Sequence, residues 1–560
     1  MRITNYELRM TNESQQCEER GVHAAEWLTA CGALEMDSAH ARFCGLKAAL
    51  LIGERDPLWS SVSNRNVALA AQLPSPSPQP SPAGRGSDAP RLLVNFTGSC
   101  LQRDGLQFSL SPGERAGVRG KASPGFFVWL ATALAILLPS VALADSFLLT
   151  GATVHTVSGA TFSPGQVLVK DGRIAAVGVS VNAAGARLVD LKGLHLFPGL
   201  ITPSTSLGLV EIDGVRATRD MVEVGDYHPE IQSWQSVNPD SELVPVARAN
   251  GVTHALPVPA GGVVSGQSGL IALDGWTSEQ MTVQKPVALH VTWPSLALDT
   301  TPREQFSDRS RFKSLDEQAK ERSKKLKELE DFFDEAKAYG KGRAAGGKQV
   351  VPAWEAMLPY VRGELPLMVH ADDVRQIKSA VAWAATNQFR IVLAGARDAW
   401  MVADLLAEKK IPVIYERVYN MGYPLAATAA RDTAPYDVHF SAPGVLHKAG
   451  VKVAFSESTG GDNAATTRNL PYSAAQAVAF GLPLEEGLRG ITLSPAEILG
   501  VADRLGSIEV GKEASLVAAT GHILDIRSQV KHVWIAGREM SLETRHTRLY
   551  EKYKGRPLPK

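Results

Sequence analysis

Along most of the chain, apolar residues recur in short runs and not in long stripes. Phe147–Thr150 is one such run, and Gln166–Lys170 and Arg173–Val179 flank the pair Asp171-Gly172. Apolar runs joined by Asp-Gly predict a β-hairpin, because a tight hairpin turn needs positive φ at both central positions. The same texture returns near the C-terminus at Ser507–Val510, Ala514–Ala519 and Val530–Ala536, the last ending at Gly537. Between these ends, strands and helices alternate. Thr253–Val258 is followed by loops, Leu367–Val369 by a helix over Val374, Ile377 and Val381, and Arg390–Ala394 by a helix from Asp398. Ile411–Tyr415 and Val451–Phe455 are further short β-branched runs, and Ser236–Glu242 introduces an amphipathic helix reaching Arg248. Alternation of this kind predicts a parallel sheet with helical crossovers. Strands at both ends predict a small β-domain assembled from the two termini.

One segment departs from this rhythm. Asp308–Tyr339 is highly charged and places Leu315, Ala319, Leu326, Leu329, Phe333 and Ala336 at helical spacing, with Glu321 and Lys325 as an i,i+4 pair. A lid or partner surface is one reading of it. A solvated helix packed along the wall of the central sheet is preferred.

The first 120 residues follow neither pattern. They hold all four cysteines, Cys17, Cys31, Cys44 and Cys100, at spacings that match no zinc or redox motif. Pro74–Pro82 is too proline-rich for a packed core. Arg115, Arg119 and Lys121 then precede an apolar stretch from Phe126 to Leu138, followed by Pro139 and the small-residue site Ala142-Leu143-Ala144 before Asp145. That layout predicts a secretory signal peptide over 118–144; a short membrane anchor or a buried helix is the alternative. Residues 1–117 are expected to be a non-native or disordered extension, with translation starting near Val118. The expected mature chain is exported, periplasmic or extracellular, and free of cysteine.

Charge narrows the partners. Lys and Arg number 58, Asp and Glu number 58, and the net charge is zero. A nucleic-acid partner is excluded on that balance, since such binding depends on excess cations. The expected partner is a small molecule, with no membrane association after signal cleavage.

The sharper signal lies in four motifs. Leu196–Ile201 reads LFPGLI, Ser494–Lys512 reads SPAEILGVADRLGSIEVGK, Gly506–Ala518 reads GSIEVGKEASLVA, and Val530–Met540 reads VKHVWIAGREM. Together they resemble the amidohydrolase superfamily, in its imidazolonepropionase-like branch, over Phe147–Met540. The resemblance implies an α/β fold: a (β/α)8 TIM-type barrel over 198–506, with a composite β-sandwich from 145–197 and 507–545 and a tail at 546–560. It also implies a metal-bound water that attacks the carbon of a C–N bond, with an Asp as proton shuttle. The family's ligands are a His-x-His pair after the first strand, one His each after the fifth and sixth, and the Asp after the eighth. Some members add a carboxylated lysine after the fourth strand, and no lysine stands at an obvious equivalent here.

Against that pattern, Ser204 and Ser206 occupy the His-x-His positions, and Thr202 replaces the usual Asp. Serine hydroxyls are weak zinc ligands. His370 keeps the fifth-strand position and is the candidate metal residue, while Gly395 stands at the sixth. Ser458, or Glu457 with a one-residue slip, aligns with the Asp; these two are the catalytic candidates. His228, His254, His290, His439, Asp372 and Asp462 are alternative donors or ordinary satisfied polar groups. The expected cofactor is none, or a single divalent metal such as zinc.

Gly261–Gly266 lacks the Lys-Ser/Thr of a phosphate loop and reads as a loop at the barrel mouth. Asp462–Thr467 reads as a polar loop after the last strand, and no nucleophile elbow supports Ser–His–Asp catalysis. Two functions remain. One is an exported hydrolase of a non-peptide C–N bond of cyclic-amide type in a small molecule. The other is a metal-free relative that binds a ligand or partner at the same mouth without hydrolysing it.

Overall fold

A computed structural model describes residues 146–557, apart from 417, 420–436, 458–459 and 461–462. The expected N-terminal extension and signal peptide lie outside the described residues, as do Ser458 and Asp462. No helix among the described residues is long and apolar enough to cross a membrane.

The described chain opens with five strands: β1 (Phe147–His155), β2 (Thr161–Lys170), β3 (Arg173–Gly178), β4 (Arg187–Asp190) and β5 (His195–Pro198). The expected hairpin joins β2 to β3, with φ of +51° at Asp171 and +73° at Gly172. Glycine is needed at the second position for a further reason, because a Cβ there would stand 2.6 Å from the Ala536 carbonyl oxygen.

Eight strands then build the central sheet: β6 (Leu200–Thr205), β7 (Val252–Pro257), β8 (Val264–Ala272), β9 (Thr282–Thr292), β10 (Leu367–Ala371), β11 (Ile391–Gly395), β12 (Val413–Glu416) and β13 (Val453–Ser456). The chain ends with β14 (Leu516–Ala519), β15 (Val530–Ile535) and β16 (Arg538–Glu539). These last strands join the first five in one sheet of order β16-β15-β14-β5-β1-β2-β3, with β4 on β1. The link is the antiparallel β5–β14 ladder, Pro198 opposite Leu516. This sheet has its own core, including Phe147, Leu149, Ile174 and Trp534.

The central sheet runs β6 to β13 in chain order. It nearly closes into a TIM-type barrel separate from the end-derived sheet. Its seam is held by side chains: Thr202 Oγ1 lies 3.2 Å from Ser456 Oγ, and the Ser456 hydroxyl donates to the Ser204 carbonyl. Ile201, Leu256, Leu270, Ala288, Met368, Val392, Ile414 and Ala454 belong to the cluster that fills the barrel interior.

The barrel departs from eight parallel strands at one place. Strand β8 is antiparallel to both β7 and β9, whereas the other neighbours along the sheet are parallel. The cause is connection length. A parallel return needs a crossover of about a dozen residues or more, and only Val258–Val263 and Leu273–Met281 separate β8 from its neighbours. Gly261–Gly266, expected as a loop, supplies the first residues of β8 from Val264.

Other expectations shift in detail. Ser507–Val510 is not a strand; it is an irregular segment tied by Ile508 N–H to the Thr156 carbonyl and by Gly511 N–H to the Ile174 carbonyl. The helix before β7 is short, Leu243–Arg248. The charged helix runs Leu315–Ala344, opened by a reciprocal Ser314–Glu317 cap, while Asp308 caps a separate turn. Only its C-terminal half is buried, through Leu329, Phe333 and Ala336. Glu321 pairs with Lys313 at 2.6 Å and not with Lys325. The expected C-terminal tail contains a helix, Arg545–Lys554, pinned by Arg548 to Glu242 at 2.7 Å.

Candidate functional site

Alternation along a strand sends every second side chain inward. Leu270, Ala288 and Met368 face the barrel interior, so Ser268, His290 and His370 do as well. These three residues sit on neighbouring strands β8, β9 and β10 and form a continuous chain. Ser268 Oγ lies 2.7 Å from His290 Nε2, and His290 Nδ1 lies 3.0 Å from His370 Nε2. Burial, and after it the neighbouring His370, hold the His290 imidazole well below its ordinary range. Burial likewise lowers His370 to about 4, against the opposing pull of Asp372. Both rings are therefore neutral near pH 7, and the Nε2 of the family-matching histidine is occupied by another imidazole.

The first-strand positions are used differently. Ser206 Oγ donates to the Gly460 carbonyl at 3.0 Å, and Thr205 Oγ1 lies 2.7 Å from Thr467 Oγ1. Ser204 is fully buried, and its hydroxyl has no hydrogen-bond partner among the described residues. Thr202 and Ser206 thus bond across the β6–β13 seam through their side chains, whereas Ser204 contributes only its carbonyl.

At the sixth-strand position, Gly395 has φ +83°, and a Cβ built on it would fall 2.7 Å from Asp372 Oδ1. The neighbouring Ala396 is also left-handed, at +60°. Asp372 Oδ1 thus stands where a side chain at position 395 would begin. Around it lies a second polar group that sequence reasoning largely missed. Asp372 Oδ1 accepts from Arg397 N–H at 3.4 Å, and Arg397 Nε stands 3.5 Å from Asp398 Oδ1. His439 lies nearby, its imidazole lowered first by burial and then by Arg397.

Glu457 follows β13 and is 8% exposed. The Ser473 hydroxyl donates to its Oε1. Burial raises the carboxyl above its ordinary value, and the Ser473 bond only partly offsets this. His254 is at the other end of the barrel interior, 3.6 Å from Glu513 and 3.0 Å from Thr253 Oγ1. His228 Nε2 is buried without a hydrogen-bond partner among the described residues.

The structure therefore brings His290 and His370 together and leaves His228 and His254 apart from them. Among the described residues, no three His, Cys, Asp or Glu side chains are grouped so as to hold a metal ion. A zinc site needs at least three protein donors. The donors among the described residues do not fit the family's metal. Of the site residues, Ser268 carries no signal in the sequence, because two glycines break up its run, VSGQSGLIA.

Four likenesses bear on this geometry. The Amidohydrolase family matches residues 430–540. An amidohydrolase of Hapsidospora irregularis, tasK, is 23% identical over 402 residues, covering 67% of this chain and 39% of that protein. The chain thus spans well under half the length of that relative. An imidazolonepropionase of Mesorhizobium japonicum is 24% identical over 373 residues, covering 63% of this chain and 85% of that protein. Among solved structures, an amidohydrolase from Thermotoga maritima superposes with a TM-score of 0.60 at 27% identity, covering 70% of this chain and 99% of that one.

Proposed function

We propose that this chain, which belongs to the amidohydrolase superfamily, binds a small organic molecule at the barrel mouth without metal-assisted hydrolysis. The observation that carries this reading is the closure of the sixth-strand position. Gly395 offers no side-chain donor at that position, and Asp372 Oδ1 stands 2.7 Å from where a Cβ on it would lie. The His370–His290 bond points the same way, since it occupies the nitrogen a metal would need.

The test is to load the protein with zinc, dialyse it, and measure bound metal. Cyclic amides and hydantoins are then titrated calorimetrically while product is followed. The expected result is binding heat without product, and zinc far below one ion per chain. Stoichiometric zinc together with turnover would overturn the reading.

One observation favours the second reading, hydrolysis of a non-peptide C–N bond. Glu457 is a buried carboxyl with a raised pKa at the end of the last strand, the environment that suits a proton-transfer group. If product forms, Glu457→Gln should abolish it. We also read the protein as exported on the residue pattern of 118–144. A secreted species whose mass begins at Asp145 is the expected finding.

A further inference from the structure

A sizeable cleft lies away from the barrel mouth. A depression of about 580 Å³ lies at the opposite end of the barrel, beside the N-terminal ends of β10 to β13. Pro366 precedes β10, Arg390 precedes β11, Ile411 and Pro412 precede β12, and Val451 and Lys452 precede β13. Apolar side chains line its floor, among them Phe389, Ile391 and Ile411, each with a small exposed edge. A smaller cleft of about 260 Å³ shares Gly450, Val451 and Lys452 with it and lengthens the trough. Pockets that hold small ligands span roughly 300–1,000 Å³, so the larger cleft is of suitable size.

The rim is cationic. Arg390, Lys409, Lys410 and Lys452 line the cleft, against one carboxylate, Glu497. That carboxylate is already taken, by Lys452 at 2.7 Å and Arg489 at 2.6 Å. Lys409 pairs with Glu408. Arg390 has only the Glu364 carbonyl as a partner, at 3.0 Å, and the Lys410 ammonium has no partner among the described residues.

A plainer account is that these cations compensate the helix C-termini beside them. The terminal carbonyls, however, are already met by backbone donors. Phe389 N–H bonds the Ala384 carbonyl, Lys410 N–H the Ala407 carbonyl, and Ile411 N–H the Leu406 carbonyl. The two cations remain in excess over what the helix ends require.

We propose that this cleft binds an organic monoanion with an apolar, chain-like body, its acid group held by Arg390 and Lys410 and its body on the apolar floor. A guanidinium matches a carboxylate in a two-bond fork, and an ammonium adds a second charge-assisted bond. The adjoining smaller cleft favours an extended body over a compact one. The site is independent of the barrel mouth and does not rest on the function proposed for it.

Decanoate is the probe, titrated calorimetrically into the full chain, with decyltrimethylammonium as the matched cation. Decanoate should bind and the cation should not. Arg390→Gln and Lys410→Asn should each weaken decanoate by about tenfold or more, the loss of one charge-assisted bond. Asparagine suits the left-handed φ of +53° at position 410. Ala385→Trp, placed at an exposed position on the cleft wall, should block binding by filling the trough. Unfolding midpoints matching the parent's establish that each variant is folded. Absence of decanoate binding, equal binding of the cation, or affinity untouched by all three substitutions would overturn the proposal.

Discussion

Gly395 shows how a single position can close a site. Its φ of +83° is a conformation that side chains with a Cβ rarely adopt, and Asp372 Oδ1 already occupies the direction a Cβ would take. Installing a histidine there should therefore not restore a metal site. Gly395→His is expected to cost about 1–3 kcal/mol of stability from backbone strain alone. The clash with Asp372 adds a further cost that should vanish beside Asp372→Ala, because the two residues share one space, and contacting residues couple by about 0.5–3 kcal/mol. Urea unfolding of both single variants and the double variant measures the coupling. Strictly additive losses in the double variant would mean that Asp372 moves aside freely. His370 could be found from its motif. Its occupation by His290 could not, because pairing across two strands depends on register, and no local pattern records that.

At the scale of elements, the long charged helix separates into two halves with different energetics. Leu329, Phe333 and Ala336 are buried, whereas Leu315 is 49% exposed. The Phe333 ring meets Trp383 edge-on at 4.9 Å and Phe389 at 5.4 Å. Phe333→Ala should destabilise the protein by about 3–5 kcal/mol, and Leu315→Ala by no more than about 0.5 kcal/mol. Equal losses in denaturant unfolding would show that the N-terminal half packs as firmly as the C-terminal half. Helical spacing in the sequence identified the face but could not say which turns of it meet the barrel. The reversed strand β8 was missed for a related reason. Gly266 and Gly269 interrupt its apolar run, and its direction follows from short flanking connections that only become informative once β7 and β9 are placed. The hairpin β2–β3 was legible because a two-residue turn with required φ signs is a local property.

Across the whole molecule, seven histidines share one electrostatic tendency. His155 is lowered to about 4 by burial and then by His522 and His195, and His370 is lowered to about 4 by burial. His195, His254, His290, His439 and His522 are lowered as well. His155 and His195 hydrogen-bond at 3.0 Å in the end-derived sheet, and His155 stacks on Phe197 at 4.5 Å. The acidic groups facing this group are Glu485 and Asp525, both beside His522. A histidine whose folded pKa lies below its unfolded value near 6.5 binds its proton more readily in the unfolded chain. Its neutral form supports folding fully above about pH 6.5, and that support is lost as pH falls toward about 4. Glu457, raised by burial, acts in the opposite sense and favours the folded state as pH falls through its range. Glu509 and Asp525, both lowered to about 2, lose their contributions progressively below about pH 5, so the histidine window stands apart from theirs above that pH. Near pH 5, unfolding should therefore take up about two protons through His155 and His370 alone. The unfolding midpoint should fall steadily between pH 6.5 and 4, and His155→Gln should reduce the slope. A midpoint flat across that window would mean that these imidazoles titrate as freely in the folded protein as in the unfolded chain.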